Sequence, residues 1–154
     1  MPALECKFKR LQSKLHPDKF GLCSRKEQEA SLASSSTVNQ AYQLLRCDAE
    51  RAKYLLRLVF GVDLEESRRS NDSQFMAQVF ELRERIEDHA ADRPALLTLQ
   101  GEVREATTAV QAALERALAA KDRAAFEQAA VQLQYYLKIS DELSDALDAD
   151  SVNG

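Results

Sequence analysis

Residues 4–18 read LECKFKRLQSKLHPD, a basic amphipathic segment that ends in a proline turn. Its apolar side chains recur at helical spacing and form one stripe, made of Leu4, Phe8, Leu11 and Leu15. Proline disfavours helical geometry in the residue before it, so we expect this helix to stop near Leu15. Pro17 also has a fixed φ and no backbone donor. A stiff, exposed turn should therefore display the imidazole of His16 and the carboxylate of Asp18.

A basic stripe runs beside the apolar one. Lys7, Arg10 and Lys14 are spaced i, i+3 and i+7, which places them on one side of the helix. Residues 1–26 hold seven basic and two acidic side chains, whereas the whole chain has a formal net charge of −4. This pattern indicates a local docking site for an acidic partner surface rather than chemistry on a small molecule. General attraction to nucleic acid or to an anionic membrane would need a basic excess that the chain lacks.

The composition predicts an all-α fold. The chain has 154 residues, of which 45% are apolar, and only 4 are glycine and 3 proline. Strong helix formers dominate, and no alternating run rich in Val, Ile or Thr argues for a sheet. This length allows one compact domain or two small ones.

Two more helices should follow the turn. Ser24 is a plausible N-cap for a second helix that runs to about Leu45. A short third helix begins near Asp48, a candidate cap, and can be closed by Gly61. Residues 61–72 are polar and prone to turns, so they are predicted to be a linker.

The rest of the chain predicts an antiparallel three-helix bundle. Helices are expected over 73–89, 94–120 and 123–147, with Asp122 as the cap of the last, and their short connections favour antiparallel neighbours. The core-facing stripe of the first consists of Phe75, Val79, Leu82 and Ile86. Met76 and Phe80 form a second apolar strip, which is either part of a broad core face or an exposed partner surface.

Sites for metals and for catalysis have little support. Cys6, Cys23 and Cys47 are odd in number and widely spaced, and the chain has only 2 histidines. This spacing argues against zinc and favours free thiols in a reducing compartment. No glycine-rich phosphate loop indicates that the chain itself binds ATP. A helix-turn-helix DNA reader over residues 4–46 is disfavoured by the acidic overall charge and by the carboxylate in the turn.

Two segments resemble a J-domain, namely residues 4–20 and the run VNQAYQLL at 38–45. The run RAKYLLRL at 51–58 looks like the J-domain co-chaperones of iron–sulphur cluster biogenesis, the HscB/Jac type. Residues 75–84 resemble the first bundle helix of that family, and residues 133–138 resemble its last. The resemblance covers nearly the whole chain. It implies an all-α protein with a J-domain helical hairpin and a C-terminal antiparallel three-helix bundle.

The resemblance also implies a function that is not enzymatic. The chain would stimulate the ATPase of a DnaK/HscA-class heat-shock chaperone and would deliver to it an iron–sulphur cluster scaffold protein of the IscU type. No cofactor, metal, nucleic acid or membrane is implied. The implied chaperone-binding residues are His16, Pro17, Asp18, Lys7, Arg10 and Lys14. The implied scaffold-binding residues are Met76, Ala77, Phe80, Glu81, Glu84, Gln134 and Tyr135.

The resemblance divides the chain into a J-domain over 1–60, the linker over 61–72, the bundle over 73–148 and a tail over 149–154. The family's first J-domain helix has no counterpart before Leu4, so we expect part of the apolar stripe to be uncovered. The resemblance implies a location in the mitochondrial matrix if the source is eukaryotic and in the cytoplasm if it is bacterial. Two other functions stay open: an adaptor that binds the scaffold without stimulating the ATPase, and a general J-protein for unfolded clients.

Overall fold

The structure, a computed structural model, describes residues 2–64 and 73–152 of the chain. Within these ranges the regular structure is entirely helical, which confirms the predicted all-α fold. The elements, in chain order, are α1 (Pro2–Leu15), a 3-10 turn (Pro17–Phe20), α2 (Arg25–Arg46), α3 (Asp48–Phe60), α4 (Ser73–Asp88), α5 (Arg93–Ala120) and α6 (Arg123–Val152). In the described part of the chain, no helix is long and apolar enough to span a lipid bilayer.

The chain divides into two compact units, Met1–Tyr54 and Leu55–Gly154. The boundary lies inside α3, six residues before the predicted one at residue 60. The second half of α3 belongs to the second unit because the ring of Phe60 packs against Phe126, with centroids 5.5 Å apart. Most of the predicted linker, residues 65–72, lies outside the described residues. The predicted tail begins as helix, since α6 continues to Val152.

The start of α2 has the cap that the sequence predicts. The Ser24 hydroxyl accepts a hydrogen bond from the backbone N–H of Glu27, and the Glu27 carboxylate accepts one from the backbone N–H of Ser24. This reciprocal pair satisfies two amides that the first helical turn leaves without partners. At the other junction, α3 begins at Asp48 itself, whose carboxylate pairs with Arg51 at 2.6 Å. Gly61, with a φ of +70°, follows the end of α3 as predicted.

In the first unit, α1 and α2 form a helical hairpin with little buried surface. The rings of Phe8 and Tyr42 stack with centroids 4.0 Å apart. No residue of α1 is buried, and Leu11 is 43% exposed. On α2, Leu32 is 56% exposed. The apolar stripe of α1 is thus partly uncovered, as expected from the sequence.

The second unit contains the three-helix bundle formed by α4, α5 and α6. A core cluster of buried residues in this bundle contains Phe75, Val79, Ile86, Leu96, Leu99, Val103, Ile139, Leu143 and Leu147, with Leu82 packed against it. The predicted core stripe of α4 is therefore confirmed. Arg93 at the start of α5 donates to the backbone carbonyl of Leu147 near the end of α6, at 2.9 Å. That contact shows the antiparallel arrangement of these two helices.

The helix ends in the bundle are set by local chemistry. Asp92 caps α5 by accepting from the backbone N–H of Ala95 at 3.1 Å, and Asp122 caps α6 by accepting from Ala125 at 3.0 Å. Lys121, at the end of α5, has the left-handed φ of 54°. That conformation terminates α5, because its N–H bonds back to carbonyls of the last helical turn.

Candidate partner-binding sites

The His16–Asp18 turn is stabilised by hydrogen bonds among its own residues. His16 has extended backbone geometry, with φ −65° and ψ 129°, and caps the 3-10 turn that Pro17 begins. Its ring Nδ1 accepts a hydrogen bond from the backbone N–H of Asp18 at 3.3 Å. The carbonyl of His16 accepts from the N–H of Lys19 at 3.0 Å. The turn therefore supplies hydrogen-bond acceptors to the backbone N–H groups of Asp18 and Lys19.

The functional groups of this turn face solvent. The side chain of Asp18 is 88% exposed and that of His16 is 53% exposed. Their closest approach is 3.5 Å, between His16 Nδ1 and Asp18 Oδ2, and it becomes an ion pair only when the imidazole is protonated. The structure thus displays an imidazole and a carboxylate together, as the sequence predicts.

Two polar side chains of α2 bond the backbone on either side of the turn, and the sequence did not single them out. The Gln28 amide nitrogen donates to the carbonyls of Gly21 and Cys23, at 3.3 and 3.2 Å. The Ser31 hydroxyl donates to the carbonyl of Leu15 at 2.9 Å, and Ser31 is 4% exposed. Their spacing of three residues puts both on one face of α2. This spacing was the feature of the sequence that could have pointed to them.

The basic stripe lies on the exposed side of α1. Lys7, Arg10 and Lys14 are all exposed, so three positive side chains line the helix that ends at the turn. Lys9 lies off this stripe. It pairs with Glu5 at 2.8 Å, and this hydrogen bond and charge lower the pKa of the Glu5 carboxyl. The stripe can therefore act as a long-range attractor for acidic surfaces.

The second candidate site is the face of α4 that points away from the core. Ala77, Glu81 and Glu84 are exposed, Phe80 is 64% exposed and Met76 is half-buried. One helical face therefore presents an aromatic ring and a thioether beside two carboxylates. This settles the alternative left open for Phe80, because a ring with that exposure is no part of the core. Such an exposed apolar surface with a charged border is typical of a protein-binding face.

The two α6 residues in the predicted scaffold-binding set, Gln134 and Tyr135, differ in how far they are buried. Tyr135 is half-buried, and its ring packs edge-on against Phe75 with centroids 5.7 Å apart. That contact brings Tyr135 next to the first turn of α4. Gln134 is only 8% exposed, so it offers almost no surface to a partner. Its predicted direct contact with the scaffold does not fit this burial, because a buried side chain cannot reach the surface of a partner.

Two bidentate ion pairs fix α4 between its neighbours. Arg83 binds Glu142 of α6 at 3.1 and 2.8 Å, and Arg85 binds Glu102 of α5 at 2.8 and 3.0 Å. Hydrogen bonding from Arg85 lowers the pKa of the Glu102 carboxyl. The two arginines bind carboxylates on opposite sides of α4, and so the helix face between them is held in a defined orientation.

The described residues place no group of three or more His, Cys, Asp or Glu side chains where it could hold a metal ion. Cys6, Cys23 and Cys47 are all exposed and are not joined in disulfides.

Known proteins identify the family. A family model described as the HSCB C-terminal oligomerisation domain matches residues 71–144. The chain is 32% identical over 147 residues to the co-chaperone protein HscB homolog of Neisseria meningitidis, covering 94% of this chain and 88% of the relative. The chain belongs to the HscB co-chaperone family. A second HscB homolog, from Cupriavidus taiwanensis, is 34% identical over 95% of this chain and 84% of its own length.

Solved structures agree with the HscB assignment. The chaperone HscB from Vibrio cholerae superposes with a TM-score of 0.85 at 28% identity, over 96% of this chain and 88% of that one. The Jac1 co-chaperone from Saccharomyces cerevisiae gives a TM-score of 0.69 at 24% identity, over 90% of this chain and 82% of its own. This likeness supports the fold. The predicted family is therefore confirmed, and it is a family of co-chaperones rather than of enzymes.

Proposed function

We propose that this HscB-family chain stimulates the ATPase of a DnaK/HscA-class heat-shock chaperone and delivers to it an iron–sulphur cluster scaffold protein of the IscU type. The observation that carries the proposal is the self-supported turn with the 88%-exposed carboxylate of Asp18 at the end of a basic helix. Membership of a co-chaperone family supports the same function. The location stays a prediction: bacterial cytoplasm or mitochondrial matrix, according to the organism.

The first unit supplies the contact with the chaperone. The positive stripe of Lys7, Arg10 and Lys14 steers an acidic surface of the chaperone towards the turn. His16 and Asp18 then make the short-range contacts, with Pro17 restricting the backbone between them. Because the stripe is exposed, we expect this association to weaken as salt is added.

The second unit supplies the contact with the scaffold. Phe80 and Met76 provide the apolar anchors, Glu81 and Glu84 provide a charged border, and Tyr135 extends the surface to α6. An exposed aromatic side chain on a rigid helix is a typical energetic centre of a protein interface. Carrying both partners on one chain raises the effective concentration of scaffold at the chaperone.

The test is an ATPase assay with the chaperone of the same organism, with and without scaffold, paired with direct measurement of scaffold binding. Asp18→Asn should abolish stimulation and leave scaffold binding unchanged, because the turn and the bundle face lie in different units. Asp145→Asn, which neutralises an exposed carboxylate on α6, is the matched control and should behave as wild type.

The complementary variant is Phe80→Ala. It should weaken scaffold binding by about 2 kcal/mol or more, the cost of losing a central aromatic anchor, and keep basal stimulation of the chaperone. Leu97→Ala removes another exposed apolar side chain, on α5, and serves as its control. Wild-type protein that binds scaffold without stimulating the ATPase would show the adaptor function instead. Stimulation by unfolded clients alone would show a general J-protein.

A further inference from the structure

A groove of about 300 Å³ opens between α4 and α5 in the bundle unit. Its floor is apolar and consists of Leu82, Val103, Ala106 and Tyr136. Its polar lining comes from Gln78 and Glu81 on α4 and from the Arg85–Glu102 ion pair. This volume is at the lower limit of the range for ligand pockets, which suits one long side chain better than a cofactor.

The groove continues the proposed scaffold-binding face. Gln78, Glu81 and Arg85 are spaced i, i+3 and i+7, so they form the strip of α4 that faces α5. The neighbouring strip carries Phe80 and Glu84. Glu81 belongs to both, because it lies at the border between the outward face and the groove. A partner seated on Phe80 therefore has the groove beside it.

The net charge of the groove lining determines which kind of partner side chain can bind there. Arg85 is already engaged, since both of its terminal contacts go to Glu102. These hydrogen bonds raise the pKa of the Arg85 guanidinium, and the Glu81 carboxylate adds to the effect. With two carboxylates and one guanidinium, the lining carries a net negative charge at neutral pH. A cationic group is attracted to it and an anionic one is repelled.

We propose that this groove receives a lysine or arginine side chain of the scaffold protein. The aliphatic stem lies on the floor formed by Leu82, Val103 and Ala106, and the charged tip reaches Glu81 at the rim. The inference rests on the proposed function and adds α5 to the binding surface. It makes the groove a determinant of which scaffold is accepted, because an acidic or short side chain at that position gains nothing there.

The first test fills the groove. Ala106→Leu places a larger side chain on the floor and should weaken scaffold binding about tenfold in a calorimetric titration of the full chain. Thr108→Leu adds the same side chain to an exposed position on α5 away from the groove and should leave the Kd unchanged. Thermal unfolding of both variants checks that the bundle is intact. Wild-type affinity in Ala106→Leu overturns the proposal.

The second test changes the charge of the rim at a position outside the predicted scaffold-binding set. Gln78→Glu should tighten scaffold binding about threefold and Gln78→Lys should weaken it about tenfold, with both effects reduced at high salt. Thr108→Glu and Thr108→Lys are the matched controls for net charge. If Gln78→Glu weakens binding or leaves it unchanged, the guest is not cationic and the proposal is wrong.

The two hypotheses fail in different ways. Loss of binding in Phe80→Ala together with wild-type binding in Ala106→Leu and both Gln78 variants refutes the groove and keeps the scaffold-binding function. Wild-type binding in Phe80→Ala, or no binding by the unmodified chain, refutes the function itself.

Discussion

At the scale of single residues, Ser31 shows how one buried polar group can anchor the backbone beside an exposed turn. The carbonyl of Leu15 is at the C-terminal end of α1, where helix geometry provides no intrahelical donor. The Ser31 hydroxyl supplies that donor from α2 at 2.9 Å. The residue immediately before His16 is thereby tied to the second helix of the hairpin.

Ser31→Ala should destabilise the first unit. The substitution leaves the carbonyl of Leu15 without its donor, and an unsatisfied backbone acceptor in a partly buried place costs about 1–3 kcal/mol. Urea unfolding followed by circular dichroism measures the loss. Ser36→Ala, on the exposed side of α2, is the control and should be neutral or slightly stabilising, since alanine is the better helix former. Equal stability of the two variants would show that the Ser31 bond is dispensable.

At the scale of helices, the ends are set by short-range chemistry that operates without the rest of the fold. Ser24 and Glu27 start α2 with a reciprocal capping box. Asp92 and Asp122 start α5 and α6 in a related way, each with one carboxylate accepting from a backbone N–H three residues ahead. These caps fix where the helices begin, and so they fix which residues belong to each exposed helix face.

The capping box of α2 should depend on pH. Hydrogen bonds from the Ser24 hydroxyl and backbone N–H lower the pKa of the Glu27 carboxyl below its ordinary value of 4.5. Its stabilising contribution is therefore fully present above the unfolded-state pKa and is lost as the pH falls through the lowered folded-state pKa. The Ser24 amide resonance should shift with a midpoint below pH 4.5 in an NMR titration. Glu27→Gln should abolish that transition, and Glu29→Gln should keep it.

The junction between α5 and α6 offers a stabilising substitution. Lys121 has a φ of 54°, where a side chain with a Cβ is strained and glycine is not. Lys121→Gly should therefore raise the free energy of unfolding by up to about 1 kcal/mol. The same change at Arg116, in the interior of α5, should lower it, because glycine weakens a helix. Chemical denaturation of both variants measures the difference. A destabilised Lys121→Gly would contradict the strain argument.

At the scale of the whole molecule, the two units differ in how much core they contain. Among the described residues of the first unit, only Ser31 and Ala52 are buried. The largest fully buried side chains all belong to the second unit, and they include Phe126, Leu133 and Ile139. The exposed His16–Asp18 turn is thus carried by a hairpin with little buried apolar surface, and the exposed face of α4 is carried by a closely packed bundle.

This contrast predicts unequal local stability. Amide hydrogens of α1 and α2 should exchange faster than those of α5 and α6, because opening free energy rises with the amount of buried apolar contact. Hydrogen exchange followed by mass spectrometry on the full chain resolves the four helices. A Leu143→Ala variant should collapse protection in the bundle, since it opens a cavity in the core cluster. Equal protection in both units of the wild type would contradict the prediction.

Much of the architecture follows from the chain alone, because helix periodicity, caps and proline stops are local properties. The stripe of Phe75, Val79 and Ile86 predicted the bundle core, and Ser24 and Asp122 predicted two helix starts. The exposed His16–Asp18 turn followed from Pro17 in the same way. The sequence pattern was a weaker predictor of burial where a helix has apolar residues on more than one side. It placed Phe75 in the core, but it could not tell that Phe80 faces solvent.

The amino-acid sequence by itself determined the helices, their ends and the display of the turn, since neighbouring residues control backbone conformation. Only the tertiary structure decided which residues share an environment across long separations in the chain. Ser31 reaches Leu15, Tyr135 reaches Phe75, and Arg85 reaches Glu102 because packing brings distant helices together. The burial of Gln134 and the groove beside Glu81 were likewise decided only by the tertiary structure. Both arise from the way α4, α5 and α6 enclose one core, and no local rule encodes the space between helices.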